Sequence, residues 1–138
     1  MKKEQQEFVA FEPQKVNRFL IEFNSPFNIP TYVIHKMSEL RAKQIDGEGN
    51  IFWDELTFTL FDVEQFPVAS IIYNGITETK SNRVSFELIE LNVIGETIQT
   101  WKINAKLKNI SFGERDWSND ENRKIEINLW DVNVKDIN

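Results

Sequence analysis

In the segment IQTWKINAKLKNISF (residues 98–112), Trp101, Ile103, Ala105 and Leu107 occupy odd positions, whereas Ile110 and Phe112 occupy even ones. A strict period of two marks a strand with one buried face, and a one-residue change of phase moves every later side chain to the opposite face. The last segment does the same: Ile125, Ile127 and Leu129 are followed by Trp130, Val132 and Val134. Two phase changes inside long apolar patterns require β-bulges, or bends where strands cross between sheets. A chain constrained in this way is a β protein with long, twisted strands.

The same period recurs upstream. Phe19, Ile21 and Phe23 share one face of VNRFLIEF, and Leu56, Phe58 and Leu60 share one face of FWDELTFTLFD. Val84, Phe86 and Leu88 do so in NRVSFELIEL, and PTYVIHKMSEL after Pro30 reads as a further strand. The period changes once. Val68, Ile71, Ile72 and Gly75 follow i, i+3, i+4, i+7 spacing, which predicts one short helix, with Pro67 in its first turn and Asn74-Gly75 as its C-terminal cap. The expected fold is mainly β: a mostly antiparallel sandwich or barrel of six to seven strands with one short α-helix on an end or flank. The polar stretch 1–13 reads as a flexible N-terminal arm, and residues 14–138 as a single domain. Within it SELRAKQIDGEGN is rich in charge of both signs and poor in core residues, so 39–50 is expected to project as a long hairpin with DGEGN at its tip.

Charge narrows the function. The chain carries a net charge of −6 and no basic run longer than Lys2-Lys3, whereas gripping phosphates takes clustered Lys and Arg. There is no cysteine, which removes disulfides, thiolate metal sites and cysteine nucleophiles. The first residues are too polar for a signal peptide and no apolar run reaches the ~18 residues of a membrane helix; a soluble, cytoplasmically made product without membrane anchoring is expected.

Chemistry-bearing patterns are few. DWSNDE places Asp116, Ser118 and Asp120 at the first, third and fifth positions of a calcium loop. The sixth and twelfth positions, which need Gly and a bidentate Glu, hold Glu121 and Ile127. The segment reads instead as a structural turn built on Gly113 and Asp116, its side chains bonding their own backbone while Trp117 folds back on the core, to which Trp53 and Trp101 are also assigned. DGEGN runs into a strand rather than a helix and lacks the Lys-Ser/Thr of a phosphate loop. His35 is the single histidine, too few for a zinc site, and no G-x-S-x-G elbow accompanies it. The 22 acidic residues allow a carboxylate-pair hydrolase, but they fall mostly at outward strand positions and turns. No catalytic, metal or cofactor site is expected, and the chain reads as a non-enzyme. Phe27 in NSPFNIP caps the core or reaches a neighbour, the first being favoured.

Two blocks, FWDELTFTLFD after a long loop and before a helix, and LKNISFGERDWSNDENRKIEINLWDVNV, resemble the tail-tube proteins of contractile-tailed bacteriophages. That family is related in fold to the tubes of type VI secretion and other contractile injection machines. QKVNRFLIEF is similar to the family's first strand, so the resemblance spans nearly the whole chain. It implies a structural virion protein that joins edge strands into hexameric rings, stacked as a pipe through which DNA passes without specific binding. It also implies tail sheath, baseplate and neck proteins as partners, and assembly in the host cytoplasm into the virion tail. By the same analogy the 39–50 hairpin and the arm lock one ring to the next, with Glu39, Arg41, Lys43, Asp46 and Glu48 in inter-ring charge pairs. Lys102, Lys106 and Lys108 share one strand face, which is expected to point outward or to a neighbour rather than into the bore. A tube initiator, adaptor or terminator of the same fold is an alternative, and a monomeric ligand-binding β-sandwich module is one from another class.

Overall fold

The computed structural model describes residues 13–65 and 67–137; the expected arm, apart from Pro13, lies outside them. The alternating segments form strands β1 (Phe19–Phe23), β2 (Ile34–Met37), β5 (Leu56–Phe61), β6 (Arg83–Leu91), β7 (Thr97–Ser111) and β8 (Lys124–Asp136). These make one antiparallel sheet in the order β1-β6-β7-β8-β5-β2. β3 (Ala42–Ile45) and β4 (Ile51–Trp53) form a separate two-stranded ribbon. Six strands in the main sheet agree with the expected number, and the ribbon adds two.

The sheet curls upon itself. Phe23 of β1 meets Phe58 of β5 edge to face, with ring centroids 5.6 Å apart, although β6, β7 and β8 lie between them in the sheet. Phe86 of β6 completes the triangle, 5.4 Å from Phe23 and 5.1 Å from Phe58. Of the two forms open to the sequence, the barrel-like one is adopted, nearly closed. Its interior is the set that the period of two selects: Ile21, Leu56, Phe58, Leu60, Val84, Phe86, Leu88, Ile103, Ala105, Ile125, Ile127 and Leu129 are all buried.

Both phase changes are bulges in the β7–β8 ladder. Asn104 faces Asn133 and Lys106 faces Trp130, so β8 holds one residue more than β7 over that interval. Asp131, in that surplus, has φ 50°, and its carboxylate lies 3.4 Å from Lys106 Nζ. Leu107 then faces Leu129 and Asn109 faces Asn128, so Lys108 is surplus on β7. Lys108 Nζ reaches across β8 to Glu55 Oε1 at 2.9 Å. Trp130 departs from the sequence reading: it lies before the surplus and alternates outward from the buried Leu129, 48% exposed, and only beyond the surplus does the even-numbered Val132 resume the core.

The helix, α1 (Val68–Thr79), is longer than its periodicity predicts. Pro67 is the N-cap, one residue before the first turn, and Lys80 with φ 52° closes the other end. Asn74-Gly75 is therefore not a cap but lies within the helix. Gly75 is buried on the face shared by Val68 and Ile72, and a Cβ there would lie 2.8 Å from Phe27 Cε1. Phe27 is buried in the core, as favoured. Its loop is fastened by Asn24, whose N–H donates to Ser85 O at 2.9 Å and whose carbonyl accepts from Phe27 N–H at 3.1 Å. PTYVIHKMSEL begins with a 3-10 turn (Thr31–Val33) before β2, and His35 bulges out between Ile34 and Lys36 to pack on Phe61 at 4.6 Å.

Candidate assembly surfaces

Among the described residues the sheet leaves two strands paired on one side only: β1, bonded to β6, and β2, bonded to β5. Such edges carry backbone groups that another strand can complete. At one end of the fold these edges approach a common cleft of about 290 Å³, lined by Val16, Phe19, Met37, Leu40 and Leu88, with Lys15 and Glu90 among its polar residues.

The ribbon begins at the same end. Its base is closed by Asp54 N–H donating to Arg41 O at 2.8 Å. At its tip the Asp46 carboxylate accepts from Glu48 N–H, Asn50 N–H and the Asn50 side-chain amide, each at 2.9 Å. The Asn50 side chain first, and then these backbone donors, hold the Asp46 carboxyl below its ordinary pKa. Gly49 supplies the φ of 82° that the turn needs. Asp46 is thus engaged by its own turn, while Glu39, Arg41, Lys43 and Glu48 are exposed along the hairpin. The ribbon also exposes Ile45 (64%), Ile51 (47%) and Phe52 (47%), with Ile45 directly opposite Ile51. Sequence reasoning weighed only the charges here; Ile45 and Ile51, flanking DGEGN on either side, carried the apolar signal.

At the opposite end, residues 112–123 join β7 to β8. Gly113 has φ 91°, and a Cβ would lie 2.8 Å from Lys124 O, so both conformation and space call for glycine. The Asp116 carboxylate accepts from Ser118 Oγ at 2.7 Å and Ser118 N–H at 3.0 Å; these bonds, the hydroxyl's first, lower its pKa. Asn119 accepts from Glu121 N–H at 2.9 Å. Arg123 donates to Asp62 Oδ2 from Nε at 2.9 Å and Nη2 at 2.7 Å, tying the loop to the end of β5. The turn chemistry is as the sequence reads, but Trp117 is not: it is fully exposed (107%), because the Asp116–Ser118 turn lifts its side chain away from the sheet. Trp53 and Trp101 are half-buried against the core.

Lys102, Lys106 and Lys108 sit outside the curled sheet, where Lys102 faces Glu87 of β6 and Lys106 and Lys108 make the ion pairs given above. Among the described residues no group of three or more His, Asp or Glu is placed to hold a metal ion, and no helix is long and apolar enough to cross a membrane.

Chains of similar fold occur in solved assemblies. A chain of the anti-feeding prophage tube-terminating cap superposes with a TM-score of 0.63 at 17% identity, over 92% of this chain and 93% of that one. A chain of the sheath/tube terminator of an extracellular contractile injection system, PVC, gives 0.63 at 20% identity, over 91% and 99%. One from the PVC sheath-tube complex gives 0.60 at 18%, over 96% and 97%. The fold is a tail-tube-related one. At the level of sequence, no protein-family model and no curated protein matches the chain.

Proposed function

We propose that this tail-tube-related protein is a structural, non-catalytic subunit of the inner tube of a contractile tail. Copies join edge to edge, β1 of one beside β2 of the next, into six-membered rings that stack into a conduit for DNA. The observation that carries this reading is the pair of strand edges that the described residues leave open in a sheet that curls almost to closure. Joining them satisfies the backbone groups of both, and a head-to-tail contact of this kind closes into a ring. The net charge of −6 suits a wall that repels a passing phosphate backbone. Tail sheath, baseplate and neck proteins are the partners of such a tube, and the exposed ribbon is its inter-ring lock. The virion tail, assembled in the bacterial host, is its location.

Electron microscopy of the concentrated purified protein tests the reading: rings or tubes are expected, and a strict monomer in every salt condition, even with a baseplate present, refutes it. A second reading, a terminator at the tube end, is favoured by the cap and terminator assemblies among the similar structures. It predicts single rings that bind tube ends without extending.

A further inference from the structure

The two ends of the fold are complementary. β7 runs from the cleft end, where Trp101 pairs with Leu88, to the loop end, where Ser111 pairs with Glu126. The cleft and the 112–123 loop therefore lie at opposite ends of one sheet. At the loop end stands Trp117, fully exposed on a turn that does not hang loose: Arg115 Nη1 donates to Phe112 O at 3.1 Å and Gly113 O at 2.8 Å, and the Asp116 and Arg123 contacts hold either side of it. A presented indole suits an interface anchor, since tryptophan is among the residues enriched at binding hot spots. At the other end the cleft has about 290 Å³, just under the roughly 300 Å³ at which small-molecule pockets begin, and so suits a side chain. The two ends also differ in charge: around Trp117 the segment 112–122 carries Glu114, Asp116, Asp120 and Glu121 against the single cation Arg115, whereas the cleft is lined by one cation, Lys15, and one anion, Glu90.

We infer that Trp117 of one copy inserts into the cleft between β1, β6 and the end of β2 of a second copy stacked upon it, with its acidic collar against Lys15. A knob and a hole on opposite ends of the same molecule make a heterologous contact that repeats without closing, and therefore a stack. This contact rests on the tube reading for its direction and adds a fastening separate from the ribbon.

The test uses Trp117→Ala and Val16→Glu, both at exposed positions (107% and 97%) where folding is unaffected; circular dichroism and melting check this. Each variant is expected to form rings but to raise the concentration at which they stack at least thirtyfold, about 2 kcal/mol per contact. Mixing the two restores one competent junction, intact Trp117 of one variant in the intact cleft of the other, so ring pairs appear in the mixture and in neither variant alone. As the chain has no cysteine, a Trp117→Cys/Val16→Cys double variant, which also lacks the indole and is therefore treated with a short bismaleimide above the raised stacking concentration, should give a ladder of covalent oligomers, with dimers at most from either single variant. Normal stacking of Trp117→Ala rings overturns this contact alone. If deletion of residues 1–12 abolishes stacking while Trp117→Ala does not, the cleft is filled by the chain's own N-terminal residues and the inference fails. A wild-type protein that never associates overturns the tube reading and the contact together.

Discussion

Replacing Gly75 by alanine sets two effects of known size against each other in α1. The added Cβ would lie 2.8 Å from Cε1 and 2.9 Å from Cδ1 of Phe27, well inside the roughly 3.5–4.0 Å of a normal carbon–carbon contact. The ring cannot swing aside, because Phe27 is only 3% exposed; overpacking of this kind costs about 1–3 kcal/mol. Against that, alanine in a helix interior is about 0.8–1.0 kcal/mol better than glycine. Gly75→Ala is therefore expected to destabilise the protein by about 1 kcal/mol net. Phe27→Leu removes the clashing ring edge, and in that background the same change should stabilise by about 0.5–1 kcal/mol, as helix propensity acts unopposed. The sign reversal amounts to a coupling of about 2 kcal/mol between contacting residues. Urea unfolding of the four proteins, at a concentration where each is monodisperse, measures it as midpoint shifts at constant slope. If Gly75→Ala stabilises the wild-type background, or lowers stability equally in both, the account of why glycine occupies this helix is wrong.

Three further outcomes follow from the loops. Asp62→Ala leaves Arg123 without its carboxylate and should lower stability by about 1–2 kcal/mol, with a rise in protease sensitivity confined to 112–123; cleavage there at the wild-type rate would refute the anchoring role of the pair. Because the Asp46 and Asp116 carboxyls titrate below their ordinary values in the fold, they stabilise their turns fully above the ordinary carboxylate range and lose that effect as pH falls through the depressed pKa values. Amide exchange at Glu48, Asn50 and Ser118 should accelerate relative to neighbouring strands over that acidic window, and protection unaltered by the titration would contradict it. Trp117→Ala should change the unfolding free energy by less than about 0.5 kcal/mol while removing the component of tryptophan fluorescence most accessible to acrylamide; a larger loss of stability would mean that the indole packs on its own domain.

The curled sheet was legible because its pattern is local. The phase changes after Leu107 and Leu129 locate both bulges to within two residues, and the buried faces of β1, β5, β6 and the first part of β7 follow from simple alternation. What local pattern does not carry is which side of a kink a residue takes. Trp130 belongs to the even-numbered apolar series but precedes the surplus residue of a bulge and so keeps the outward face, and Trp117 sits where a two-residue turn decides its direction. Asn74-Gly75 has the composition of a cap, yet its glycine answers to Phe27, a residue 48 positions earlier. The order that makes β1 and β2 the edge strands of the described sheet depends on pairings between distant segments, such as Phe19 with Glu90 and Leu56 with Leu129, so the candidate assembly surfaces emerge only once the sheet is formed.

Lys108 and Asp131 are supernumerary in a strict sense: removing both would leave β7 and β8 as an uninterrupted ladder with the same side chains facing inward. What the two residues contribute is bend, since a bulge increases the local coiling of a strand pair, and such bend bears on the angle between β1 and β2, the outer strands of the described sheet. In a circle assembled through those strands, the angle fixes how many members complete one revolution. The count of subunits around such a circle would then be written in two extra residues of a single ladder, far from any contact between neighbours.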